Sequence, residues 1–219
     1  MRKIYTILLL AIISINFSCS TEKGQTKKDL KVLVIGNSIL KHSPAPNLGW
    51  YGDWGMAASS PEKDFLHVYE RLLQTSDMYK SVEISSKNLA VWENDFNNNL
   101  NNFQDINTQD YDFVIVRLGE NVSNIPNYYA ALNTMINFFK TEKTKVIITG
   151  IVWDNIQVEN VQKQVAVDND YKYIPFDNFK TDPLNYSWGL FESGPVAAHP
   201  SDLGMKNIAT LLYNSTTAE

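Results

Sequence analysis

The 219-residue chain contains one cysteine, Cys19, and three histidines. Beyond position 19 it can therefore form no disulfide, no thiolate metal site and no cysteine nucleophile. His42, His67 and His199 stand at no metal-ligand spacing from one another, so no metal is expected, and no cofactor either. Positive charge is also scarce: 19 basic residues face 24 acidic ones, a net charge of −5. Setting aside Arg2, Lys3, Lys23, Lys27 and Lys28 on one side and Glu22 and Asp29 on the other leaves 14 basic and 22 acidic residues, a balance of −8. Such a surface does not attract a polyphosphate backbone, which excludes nucleic acid as the expected partner. Internal repeats are absent. The Asn-rich "ENDFNNNLNNF" still spaces Phe96, Leu100 and Phe103 as a short amphipathic helix would.

The longest apolar run, residues 7–15, lies at the start behind Arg2 and Lys3 and leads into Asn16-Phe17-Ser18-Cys19. A charged start and a short apolar middle are the layout of a secretory signal over residues 1–19, too short to span a bilayer comfortably. Its end resembles a bacterial lipoprotein signal: Ser18 before Cys19 fits, whereas Asn16 and Phe17 depart from the usual small and aliphatic residues. The resemblance implies export, lipidation of Cys19 and membrane anchoring in the periplasm or at the cell surface. An ordinary signal with an incidental cysteine is the alternative. Residues 20–29 are polar and read as a flexible tether, leaving residues 30–219 as one domain large enough for a proper core.

Within that domain, short and mostly β-branched runs occur at 32–35, 82–84, 113–118 and 146–152, with a weaker one at 171–176. They lack polar alternation, as strands buried on both faces should. Helical patterns separate them, one opening at Ser60-Pro61 with Phe65, Tyr69, Leu72 and Leu73 on one face. Another carries Tyr129, Leu132, Ile136 and Phe139. Strand and helix in alternation imply an α/β fold: a central parallel sheet of about five strands with helices on both faces. In such folds chemistry collects at the carboxyl ends of the strands.

The unusual residues of this sequence cluster at those ends. Gly36-Asn37-Ser38 closes the first run, 88–93 follows the second, Gly119-Glu120-Asn121 closes the third, and His199-Pro200 precedes the last helix. A serine becomes a nucleophile when a base takes its proton and fixed donors hold the oxyanion. Ser38 has a candidate base in His199 and a candidate donor in Asn121. Any one of these is commonly a turn or surface residue; their joint occurrence in this order is far less so.

These blocks resemble those of the GDSL-type, or SGNH, hydrolase superfamily. "VIGNSI" matches its first block with Asn37 for Asp, "RLGENV" supplies Gly119 and Asn121 with Val122 for Asp, and "VAAHPSDLGM" keeps His199 and Pro200. The resemblance spans nearly the whole domain. It implies a three-layer flavodoxin-like fold, Ser38 as nucleophile, His199 as base, and an oxyanion hole from Ser38, Asn121 and a backbone donor of the second block, here at Glu93. The acid usual three residues before the histidine is replaced by Val196. Glu192 or Asp202 could stand in, or a carbonyl could orient the ring and leave a dyad. Asp202 also fits as a helix-start residue.

The long loop between Ser38 and the first helix carries Trp50, Tyr51 and Trp54, which could wall a sugar or acyl group or pack the loop onto the domain. Asn37 and Glu120 are further candidates for substrate contact. His42 is the rival base. The expected activity is removal of acetyl or other short acyl groups by a serine esterase, with an acylated carbohydrate or other small ester as partner; the alternative is a glycan-binding protein on an impaired hydrolase fold. A working His199 predicts activity rising with pH through an ionisation near the ordinary histidine range.

Overall fold

A strand whose successive residues are apolar must be covered on both faces, and β3 (Phe113–Arg117), apolar up to its final arginine, is buried along its whole length. It pairs in parallel with β1 (Lys28–Gly36) and β4 (Lys145–Thr149). β2 (Tyr79–Asn88) and β5 (Lys172–Ile174) complete a parallel sheet of order β2-β1-β3-β4-β5. This computed structural model describes residues 27–107 and 109–218, so Cys19 and the signal-like segment lie outside the described residues. β1 starts at Lys28, inside the stretch read as tether.

Successive strand residues point to opposite faces, and that alternation divides the core in two. Val32, Val34, Phe113, Ile115 and Ile147 face α1 (Phe65–Thr75) and α8 (Asp202–Thr217), with Phe65, Tyr69, Leu73, Met205 and Leu212 buried between them. Leu33, Ile35, Val114, Val116 and Ile148 face α4 (Ile125–Phe139) and α5 (Ile156–Asp168). The result is three layers. Short helices α2 (Ala90–Asn94), α3 (Gln104–Asn107), α6 (Asp177–Thr181) and α7 (Gly194–Ala197) fill connections.

Two local expectations shift. The first helix opens with a 3-10 turn at Pro61–Lys63, and the cap of α1 is Asp64, whose side chain accepts from the His67 amide. On α4 the inward tyrosine is Tyr128, which continues through Leu132, Met135, Ile136 and Phe139 at three- and four-residue steps. Tyr129 turns outward to donate to Asp168 at 2.6 Å. Among the described residues no helix is long and apolar enough to cross a membrane.

The strand order reverses between β1 and β3, the crevice where open α/β sheets of this order bind ligands. Ser38 follows β1 and Asn121 follows β3, so the two candidate residues flank that crevice.

Candidate active site

Gly36 ends β1 where a Cβ would stand 2.6 Å from that of Leu40, so only glycine lets the chain turn back so tightly. The next side chain, Asn37, accepts from the Ile39 amide at 3.2 Å, and the Asn37 carbonyl accepts from the Leu40 amide at 3.0 Å. This Asx turn leaves Ser38 part-exposed at its apex. The following loop is tied to the turn, because the Met56 amide donates to the Ser38 carbonyl at 2.9 Å.

His199 comes to Ser38 from 161 residues away. Ser38 Oγ lies 2.8 Å from His199 Nε2, and His199 Nδ1 lies 2.8 Å from the carbonyl oxygen of Pro195. A carbonyl only accepts, so Nδ1 carries the proton and Nε2 is the lone-pair nitrogen to which the Ser38 hydroxyl donates. The tautomer needed of a general base is thus set by the main chain. The carbonyl is available because α7 is a single turn: the Ala198 amide bonds to Gly194 and Val196 and the His199 amide to Val196, leaving the Pro195 oxygen for the ring. Trp153 packs edge-on against the imidazole, with ring centroids 5.4 Å apart, and is fixed by its own bond to the Ala198 carbonyl at 2.9 Å.

Burial pushes His199 down to about 4, helped by His42 and Arg117 and opposed by the Pro195 carbonyl and the Glu120 charge. The shift favours the neutral imidazole and places its ionisation below the ordinary histidine range expected from the sequence.

Neither proposed stand-in acid holds this ring. Asp202 gives its oxygens to the Ser59 amide and hydroxyl at 2.8 and 2.7 Å and to Lys63 at 2.9 Å; the cap of α8 is Ser201. Glu192 is exposed, and Val196 is fully buried against Trp50, Met56 and Ala57. His42 turns its Nδ1 to the Ser43 carbonyl and His67 turns its own to Asp64, so the histidine on Ser38 is His199. Among the described residues no three His, Cys, Asp or Glu side chains form a metal-binding group.

Buried carboxylates are nevertheless present, around Asn37. The backbone donor expected at Glu93 is absent, since its N–H is spent on the Leu89 carbonyl at 3.2 Å as α2 begins. Glu93 contributes its side chain instead. The buried carboxylate accepts from the Gly119 amide at 2.5 Å and from Asn37 Nδ2 at 3.3 Å through Oε1, and from Asn121 Nδ2 at 2.7 Å through Oε2. Gly119 has φ +134°, and a Cβ there would fall 2.5 Å from Ile151, so the amide can be presented only by glycine. Asn121 is part-exposed, and its Nδ2, bonded once to Glu93, carries a second amide hydrogen.

Asn37 and Glu120 were expected to meet substrate, and burial removes both from that role. Asn37 is fully buried, and its Nδ2 bridges Glu93 and Glu120, the latter at 2.7 Å. Glu120, its side chain 1 % exposed, pairs with Arg117 at 2.6 Å and accepts from the Val152 amide at 3.0 Å. Burial acts to raise Glu120, but the Arg117 charge and these hydrogen bonds hold it below the usual carboxylate range. Burial first, and then repulsion from Glu120, push Glu93 up to about 7. An aspartate at position 37 would set a third carboxylate between these two, which gives Asn37 its physical reason.

The aromatic loop divides in the same way. Trp50 is buried, donating to the His42 carbonyl at 3.1 Å and packing edge-on against Trp54, so it builds the loop rather than a substrate wall. Trp54 is half-buried and bonded to the Ala58 carbonyl, whereas Tyr51 is exposed. Sequence reasoning missed Trp188, exposed at the tip of a turn closed by Leu190 N–H to the Ser187 carbonyl; the Ser187 amide in turn bonds to the His199 carbonyl at 3.0 Å. It also missed Arg117, which a cation at the end of a doubly buried strand, three residues before a glutamate, could have signalled.

No family model matches the sequence, and no curated protein matches it. Solved structures do. TesA superposes with a TM-score of 0.57 at 14% identity, covering 86% of this chain and 98% of that one. A protein from Parabacteroides merdae assigned as a GDSL-like lipase gives 0.59 at 13% identity, covering 88% and 98%. A two-domain esterase active on acetylated mannans gives 0.53 at 15% identity, covering 87% of this chain and 50% of that one. At such identities the likeness shows the fold: a five-stranded parallel α/β architecture shared with GDSL-like lipases and carbohydrate esterases.

Proposed function

We propose that the chain is a serine ester hydrolase of the SGNH type that removes acetyl or other short acyl groups, with carbohydrate as the acyl carrier. The observation that carries the reading is the 2.8 Å contact of Ser38 Oγ with a His199 ring whose other nitrogen is held by a carbonyl. In this reading Ser38 Oγ attacks the ester carbonyl while its proton passes to His199 Nε2. The oxyanion is met by the free Nδ2 hydrogen of Asn121 and the Ser38 N–H. His199 then returns the proton to the departing alkoxide, leaving an acyl-Ser38 that water hydrolyses by the same route reversed. The Pro195 carbonyl dipole stabilises the imidazolium where a triad would use a carboxylate.

Carbohydrate is supported by exposed Tyr51, by exposed Trp188 on the segment leading to His199, and by a fold shared with an esterase active on acetylated mannans. Export and lipid anchoring at Cys19 belong to the same proposal and rest on residues 1–19 alone. Hydrolysis of p-nitrophenyl acetate together with covalent labelling by a fluorophosphonate tests the reading; a wild-type protein that neither turns over nor labels sinks it. The missing carboxylate on His199 favours a second reading, a glycan-binding protein without turnover, under which Ser38→Ala leaves sugar affinity unchanged and no ester is cleaved.

A further inference from the structure

Three donors converge on the buried Glu93 carboxylate, and one of them is the side chain expected to receive the oxyanion. An asparagine amide can rotate and present either its oxygen or its nitrogen. What faces it decides which. An ionised carboxylate accepts only, so it turns Nδ2 of Asn121 toward itself, and the second hydrogen on that nitrogen is then directed away from Glu93. A protonated Glu93 would be a donor as well and would no longer reject the amide oxygen. We propose that Glu93 is a positioning residue for catalysis, its ionised carboxylate holding the Asn121 amide in the orientation that offers a hydrogen to the substrate oxyanion. The inference rests on the esterase reading for its catalytic meaning, but the coupling of the two side chains is a property of the fold.

The ionisable surroundings of Glu93 are few. Glu120 lies across the Asn37 bridge, Arg117 stands behind Glu120 in an ion pair, and the Tyr128 hydroxyl approaches from α4. The remaining contacts, from Asn37, Asn121 and the Gly119 amide, carry no charge. With burial and Glu120 pushing Glu93 up to about 7, the carboxylate changes charge near neutrality, whereas His199, pushed down to about 4, is already neutral there. Turnover should therefore rise with pH through neutrality because of Glu93, with the histidine limb lying lower.

The test joins kinetics to a readout that needs no activity. In the wild-type protein the Asn121 side-chain amide resonances, identified by their loss in Asn121→Ala, should move through one ionisation near neutral pH; the movement should vanish in Glu93→Gln. In p-nitrophenyl acetate turnover, Glu93→Gln should lower kcat by about 10- to 100-fold, short of the ~10²- to 10³-fold expected for deleting the donor itself. KM should be unchanged and the limb near neutrality lost. In an Asn121→Ala background the same substitution should cost little more, because both act through one amide. Glu93→Asp, which keeps the charge, should retain part of the neutral limb. Asn121 amide resonances that keep their wild-type positions in Glu93→Gln at every pH overturn the proposal whatever the protein's activity, and so do kinetic losses that simply multiply. A wild-type enzyme without turnover would fail the esterase reading instead, leaving the resonance titration to decide the coupling.

Discussion

The two residues proposed to work with Ser38, His199 and Asn121, are held by opposite materials. At His199 the partner of the ring is a neutral backbone carbonyl, and Trp153 packs against the imidazole. Behind Asn121 lies a network of two buried carboxylates, an arginine and a bridging asparagine, all of them with side chains almost wholly withdrawn from water. A conventional triad would place negative charge behind the histidine. Here one of the carboxylates, Glu93, instead holds the amide of Asn121, the oxyanion donor in the proposed reading. A base needs only the right tautomer, which a carbonyl can impose, whereas an amide that can flip needs an acceptor-only partner to hold its orientation.

The largest effects should separate the two residues by chemistry. His199→Ala should cost ~10⁴- to 10⁶-fold in kcat, the scale of losing a base that acts as a unit with its nucleophile, at nearly unchanged melting temperature. His42→Ala should chiefly raise KM. If His42→Ala proved the more damaging to turnover, the assignment of base would reverse.

Next in size is Asn121→Ala, expected to lower kcat by ~10²- to 10³-fold while leaving substrate binding nearly intact. Full activity in a normally melting variant would remove Asn121 from the site.

Smaller, but specific to the comparison, is an opposition in pH-dependent stability. His199 is depressed to about 4 from 6.5, so the unfolded chain takes up its proton first, and stability is lost as pH falls from about 6.5 toward 4. Glu93 is raised to about 7 from 4.5, so the native chain keeps a proton the unfolded chain releases, and stability is lost as pH rises from about 4.5 toward 7. Each shift corresponds to at most about 3 to 4 kcal/mol, and over their shared window the two oppose each other. Glu93→Gln should steepen the loss on acidification, and His199→Ala should leave only the loss on raising pH. Denaturant melts from pH 4 to 8 check this; equal slopes in wild type and both variants would contradict it.

The smallest expected effect falls on the acids nearest His199 in sequence. Glu192→Gln and Asp202→Asn should change kcat by less than about threefold, with Asp202→Asn costing up to ~1 kcal/mol in stability for its exposed pair with Lys63. A hundredfold loss of turnover in either would restore a third acid to His199.

What could be read from the sequence was what repeats locally. Runs of β-branched residues marked each strand, and Gly36-Asn37-Ser38, Gly119-Glu120-Asn121 and His199-Pro200 marked the ends where chemistry collects, because backbone preference and burial period are short-range properties. The direction of Tyr128 over Tyr129 and the cap at Asp64 fell within a residue or a turn of expectation, the usual uncertainty where neighbouring residues compete for one role. Which partner holds His199 was decided by tertiary structure alone: a carbonyl leaves no mark in a sequence, and the Pro195 oxygen is available only because α7 stops after one turn. The reassignments of Glu93, Asn37 and Glu120 have the same origin. Each carries a side chain that suits solvent as well as core, and only the docking of β1, α2 and β3 at the switch point of the sheet buries all three together, where a buried carboxylate must find donors and a nearby amide must supply them.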